Sequence, residues 1–215
     1  MNSRERILAR IGQALGRPGD PAPAGIEGHL QSHPRGPRPV LEGDAIARFR
    51  ERAARMASDV AQANAMTDVP GVIARYLEQQ RLPLRAVCWP ALTRLDWRAA
   101  GIQTEARAAR ADDLVGITGV FAAIAETGTL MLLSAPDTPA TVSLLPETHV
   151  AVVEVSRVVA TMEDAWDRLR AERGAPPRAV NFVSGPSRTA DIEQTVTLGA
   201  HGPYRVLIVL VGGVE

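Results

Sequence analysis

The chain has 215 residues and equal numbers of acidic and basic side chains, 24 of each. That length holds one domain with a full core plus a helical appendage, and the balanced charge offers no basic face to nucleic acid. The single cysteine, Cys88, excludes an internal disulfide and an iron–sulfur cluster on the chain's own thiolates, which takes four. All basic residues are arginine, so Schiff-base chemistry, a pyridoxal anchor and the P-loop lysine are excluded as well.

Residues 3–15 place Ile7, Leu8, Ile11 and Leu15 on one helical face, with Ser3 as the expected N-cap. This start reads as an amphipathic helix and not a signal peptide, and the longest aliphatic run, Val206 to Val211, is too short to cross a bilayer. A cytoplasmic protein without a membrane span is expected. Residues 17–43 hold six prolines and five glycines and read as an extended linker. His29 and His33 there have metal-binding spacing, but a proline-glycine segment does not provide the helix that would align them, so no metal site is expected. A long helix over 44–65 follows, capped by Asp44, with Ile46, Phe49, Ala53, Met56 and Val60 as a packing stripe. A second helix spans about 69–80, with Val72, Ile73, Tyr76 and Leu77 inside.

From residue 85 short apolar runs replace helical spacing. Strands are expected at 85–89, 117–125, 129–133, 149–155, 179–183 and 205–211, with a helical turn at 112–115, a short helix at 140–145, and a helix from a Thr161/Asp164 capping box to about 173. Strands alternating with helices predict an α/β domain with one mostly parallel sheet, covered on both faces. The expected organisation is a helical region over 1–84 and an α/β domain over 85–215.

Chemistry concentrates in two stretches. Ile124-Ala-Glu-Thr-Gly-Thr129 sets the carboxylate of Glu126 at the end of an apolar run, with Thr127 and Thr129 around a turn that Gly128 makes easily. Ser184-Gly-Pro-Ser-Arg-Thr-Ala-Asp191 follows another strand directly. Ser184, Ser187, Arg188 and Thr189 offer donors to an anion, Gly185 lets backbone approach a ligand, and Thr189 can cap a helical turn reaching Asp191. If the strands are parallel, both stretches lie at the carboxyl edge of the sheet and form one pocket with Glu126. An ordinary capped loop with Arg188 in a surface ion pair is the alternative. His201, before the last strand, is a catalytic candidate only if the chain doubles back to Glu126, and His149 meets the same geometric objection. Cys88 reads as a small core residue, and Asp112 and Asp113 as first-turn helix charges.

Ile-Ala-Glu-Thr-Gly-Thr, Pro-Glu-Thr-His-Val-Ala-Val-Val, Ser-Gly-Pro-Ser-Arg-Thr-Ala-Asp-Ile-Glu and Gly-Ala-His-Gly-Pro, in this order, strongly resemble the lactate utilization protein C family with its LUD domain. The resemblance covers about 85–211 densely. It implies a three-layer α/β/α fold of the NagB/RpiA/CoA-transferase-like type, preceded by N-terminal helices. It also implies a non-redox component of L-lactate oxidation to pyruvate that works beside iron–sulfur lactate utilization proteins. On that reading the chain binds no cofactor itself, the iron–sulfur cluster belongs to a partner, and the Glu126 pocket takes a small carboxylate or a partner's segment. The other reading is a stand-alone acyl-transfer enzyme of CoA-transferase type. Glu126 would then be the nucleophile, with the Thr127–Thr129 backbone as oxyanion donors.

Overall fold

The computed structural model describes residues 2–16, 25–37, 41–189 and 197–212. The chain divides into two compact units, Met1–Val40 and Leu41–Glu215. The expected boundary at 84/85 falls inside the second unit.

In the first unit, helix α1 (Ser3–Ala14) is capped one residue earlier than expected. The Asn2 side chain accepts from the Glu5 N–H at 2.9 Å, and the Glu5 carboxylate accepts from the Asn2 N–H at 2.8 Å. This reciprocal box needs a carboxylate at the third helical position, which Ser3 as cap would not have. Its apolar residues Ile7, Leu8, Ile11 and Leu15 are all exposed. The stretch expected to be extended contains a second helix, α2 (Ile26–Ser32), in the proline-free segment between Pro23 and Pro34. His29 lies in it, whereas His33 is the C-cap with φ 44°, so the pair shares no helix face.

The second unit begins with α3 (Ala45–Arg55), capped by Asp44 through the Ile46 and Ala47 N–H groups at 3.1 and 2.8 Å. The expected helix to residue 65 is cut short. Ala57 turns the chain with φ 64°, and Asp59–Ala63 is strand β1. Val60 fits a helical stripe and a strand equally well. Pairing with the apolar run 205–211 decides for the strand, a tertiary effect that overrides local spacing. Helix α4 (Val69–Gln79) buries Val72, Ile73, Tyr76 and Leu77 as expected.

The remaining strands are β2 (Arg85–Cys88), β3 (Gln103–Ala106), β4 (Val115–Gly119), β5 (Ala122–Ile124), β6 (Thr129–Leu133), β7 (Thr148–Glu154), β8 (Val158–Val159), β9 (Val180–Val183), β10 (Arg188–Thr189), β11 (Thr197–Leu198) and β12 (Arg205–Val211). Helices α5 (Thr141–Leu144) and α6 (Met162–Arg173) interrupt them, α6 opening on the expected Thr161/Asp164 box. Six strands form a parallel sheet in the order β1-β12-β7-β4-β2-β3. The α/β class and the mostly parallel sheet flanked by helices are therefore as expected. The central strands read as unbroken apolar runs because both faces are covered.

The expectation of one sheet is overturned. The stretch 117–125 is not one strand: β4 ends at Gly119 and β5 starts a second, four-stranded sheet, β8-β5-β6-β9. This sheet lies on the parallel one. Ala123, Leu130 and Leu132 pack with Ala151, Val153, Val206, Ile208 and Leu210, together with Phe49 and Ala53 of α3. The alternate residues Ala122, Ile124 and Met131 face Ala165 and Leu169 of α6. Period-two alternation thus serves two cores at once. Helix α4 covers the opposite face of the parallel sheet.

Asp113 is not a helix charge. It is buried, grips Arg107 through both carboxylate oxygens at 2.6 and 2.9 Å, and accepts the Arg110 N–H at 2.7 Å. The Arg107 hydrogen bonds hold the Asp113 carboxyl below the usual carboxylate range. Asp113→Asn should cost more than about 1 kcal/mol, because the buried side chain loses its charge and Arg107 keeps only the exposed Glu105 as charged partner. Urea unfolding checks this, and a loss under about 1 kcal/mol would assign the pair to the weak surface class.

Candidate functional site

The small sheet brings the two motif stretches together. Strand β6 runs antiparallel to both β5 and β9, so β5 and β9 point the same way and end at the same edge. Glu126 follows one and Ser184 the other. Across this edge the Thr127 hydroxyl donates to Thr129 Oγ1 at 2.7 Å, and Thr129 Oγ1 lies 2.6 Å from Ser184 Oγ. Either hydroxyl of the Thr129–Ser184 pair can be the donor, and the three hydroxyls form one connected chain.

Both turns are seated against the end of α3 and the residue that follows it. Gly128 has φ 70°, and a Cβ there would stand 2.4 Å from Ala53 N. Gly185 has φ 77°, and its Cβ would stand 2.0 Å from the Met56 carbonyl oxygen. Arg188 donates to that same Met56 oxygen at 3.0 Å, and not to a surface carboxylate. The Ser187 N–H donates to the Pro203 carbonyl at 2.8 Å, and the Gly199 N–H to the Ser187 carbonyl at 2.9 Å.

These contacts place the cluster at the amino edge of the parallel sheet, beside the starts of β1 at Asp59 and β12 at Arg205. The expected carboxyl edge is incorrect, because the strands leading into the motifs belong to the second sheet. The geometric objection to His201 therefore falls away. It is exposed and adjoins Gly202, where a Cβ would lie 3.3 Å from Ser187 Cβ. Thr189 sits in β10, paired with Thr197, and the helical turn expected after it lies outside the described residues. Asp191 lies outside the described residues.

Glu126 is half-buried, and its N–H donates to the Ala160 carbonyl at 3.0 Å. Among the described residues its carboxylate has no hydrogen-bond or ion-pair partner. The Gly128 N–H is spent on the Ile124 carbonyl at 2.9 Å, which leaves one oxyanion donor fewer than expected. Ser184→Ala should cost about 1 kcal/mol, the net value of one hydrogen bond, measurable by urea unfolding. An unchanged midpoint would show that the hydroxyl chain contributes nothing to stability.

His149 is placed differently from the other candidates. It is fully buried on the face of the parallel sheet toward the small sheet, with Nε2 2.8 Å from Thr118 Oγ1 and Nδ1 without a partner. Sequence reasoning singled it out only as a strand start. Cys88 is buried in the core as expected. Among the described residues no group of three or more histidine, cysteine, aspartate or glutamate side chains is arranged to hold a metal ion. None of their helices is long and apolar enough to cross a membrane.

Residues 46–211 match the LUD domain family. The chain belongs to the LUD domain family. This LUD protein is 31% identical over 224 residues to a lactate utilization protein C of Exiguobacterium sp., covering 98% of this chain and 96% of that one. To a lactate utilization protein C of Bacillus subtilis it is 41% identical over 100 residues, 45% of this chain and 42% of the relative. Among solved structures it resembles a DUF162 family protein from Deinococcus radiodurans, with a TM-score of 0.61 and 25% identity over 81% of this chain and 100% of that one. The two LUD motifs at Glu126 and Ser184 thus lie within the matched region.

Proposed function

We propose that this LUD protein is a cytoplasmic, non-redox component of L-lactate utilisation that acts with iron–sulfur partner proteins. The observation that carries the reading is the near full-length similarity to a lactate utilization protein C. The buried lone Cys88 supports the division of labour, since electrons then travel through a partner's cluster. The Glu126 carboxylate, the Thr127–Thr129–Ser184 hydroxyl chain and His201 form the working surface at the amino edge. Together with Arg188 they receive a small carboxylate or a partner's carboxylate-bearing segment.

The test is growth on L-lactate by the native host lacking this chain, complemented by wild type, Glu126→Gln or Arg188→Lys. Glutamine keeps the size of Glu126 but loses the charge, and lysine loses the planar fork of Arg188. Both variants should fail on lactate and grow normally on glucose. Unfolding free energies should stay within about 0.5 kcal/mol of wild type for Glu126→Gln. Normal growth of the host without the chain would overturn the lactate reading; normal growth of both variants would overturn the assignment of this surface.

A further inference from the structure

A cavity of about 410 Å³, lined by none of the residues of the Glu126 cluster, opens at the carboxyl end of β1. Its polar lining is Gln62, Asn64, Thr67, Asp68 and Arg75, with Gly71 between them.

The floor is fixed in advance. Gln62 accepts from the Arg50 guanidinium at 2.9 Å and donates from Nε2 to the Gly212 carbonyl at 2.9 Å. The Gly212 N–H in turn donates to Ala63 at 3.0 Å. The amide of Gln62 therefore keeps one orientation. On the wall, one Asp68 carboxylate oxygen already accepts the Ala65 N–H at 3.0 Å. Arg75 folds back along α4, and its NH1 lies 3.7 Å from the place a Cβ on Gly71 would take. It has not paired with Glu78, one turn on. Among the described residues the side chains of Arg75, Asn64 and Thr67 have no hydrogen-bond or ion-pair partner. The groups left free in the cavity are a full guanidinium, a carboxamide and a hydroxyl, while the one carboxylate is partly committed.

We infer that this cavity is a second binding site, for a small molecule bearing an oxyanion, either a carboxylate or a phosphate. The Arg75 guanidinium grips the anion, and Asn64 and Thr67 orient the rest of the ligand. A guanidinium presents paired N–H donors that match two oxygens of either group. The volume accommodates a ligand of metabolite size. The choice of lactate and pyruvate as probes rests on the lactate reading above, whereas the site itself does not.

The test is calorimetric titration of the full chain with L-lactate, pyruvate and inorganic phosphate, with the Arg75 Nε–H resonance followed by NMR. At least one anion should bind once per chain and shift that resonance. Arg75→Gln should weaken binding about tenfold or more, and Asn64→Ala with Thr67→Val should weaken it less. Arg75 is exposed, so its replacement should leave the melting temperature in place. Binding of a carboxylate alone identifies a carboxylate ligand, and binding of phosphate alone a phosphoryl ligand; both support the site. No binding of any of the three at about 10 mM, a concentration that reveals even weak millimolar affinity, would overturn it. Binding that Arg75→Gln leaves intact would do the same. Failure of the lactate reading shows separately, as normal growth without the chain.

Discussion

Gly128→Ala should destabilise the protein by about 4 kcal/mol, among the largest effects of any single methyl addition. Two costs add. Alanine at φ 70° pays about 1–2 kcal/mol for the left-handed backbone. The new Cβ would also stand 2.4 Å from Ala53 N, 2.6 Å from Arg52 C and 2.9 Å from Ala53 Cα. All three are backbone atoms of α3, so no side chain can swing away, and the hairpin must lift off the helix. Overpacking of this kind costs a further 1–3 kcal/mol. The lifted turn carries Thr127 and Thr129, so the hydroxyl chain to Ser184 should break as well. Gly43 provides the control. Its φ is 81° and no atom lies within 4 Å of a Cβ there, so Gly43→Ala should cost only the backbone share. Thermal unfolding measures both, with Gly128→Ala expected to lower Tm by about 8–16 °C in a domain of this size. Equal losses for the two variants would show that α3 does not hold the turn.

Stability should fall steeply as pH drops from about 6.5 to 4, by about 3 kcal/mol, and His149 should be the cause. Burial pushes its pKa from 6.5 down to about 4. The sign follows from proton uptake. Between these two values the unfolded chain protonates the imidazole and the folded chain does not, so acid favours unfolding. The neutral ring is fully accommodated above pH 6.5, and the loss is complete near pH 4. Asp113 and Glu172, held below the ordinary carboxylate range by Arg107 and Arg157, act in a lower window. Their contribution is present above that range and lost as pH falls through it. Urea unfolding at pH 7.5 and pH 4.5 separates the two effects. His149→Gln should be less stable than wild type at pH 7.5 yet lose most of the difference between the two pH values. The same difference in wild type and variant would assign the acid sensitivity elsewhere.

Elements with a strong local signal were legible. Helix α4 follows from apolar spacing with Pro70 in its first turn, helix α6 from apolar spacing and its Thr161/Asp164 box, and β12 from the run Val206 to Val211. Elements that exist only through pairing were not. Strand β3 is the polar sequence Gln-Thr-Glu-Ala, held by β2 along an edge and carrying no apolar signature. Strand β1 hides in a helical stripe, and Ala57 makes its left-handed turn without a glycine to mark it. The break between β4 and β5 hides in a continuous apolar stretch, because a strand buried on both faces looks the same in either sheet.

The candidate site divides in the same way. Glu126, Thr127, Gly128 and Thr129, and the Ser184–Arg188 turn, stand out in the sequence as polar groups and glycines at the ends of apolar runs. That combination follows from local chemistry, since a glycine turn and a carboxylate must sit where backbone can bend and charge can meet water or a partner. Composition likewise determined what the chain cannot do alone: one cysteine cannot hold a cluster, and no lysine is present for lysine chemistry. Only the tertiary structure decided which edge the motifs occupy. Strand direction is set by partners distant in sequence, and two antiparallel pairings through β6 bring Ser184 to Thr129 at the amino edge. The cavity beside Arg75 belongs to the same class. An arginine four residues after a glycine is ordinary in a helix, and it becomes a binding feature only because the Gly212 carbonyl, just past β12, and Arg50 of α3 hold Gln62 beneath it.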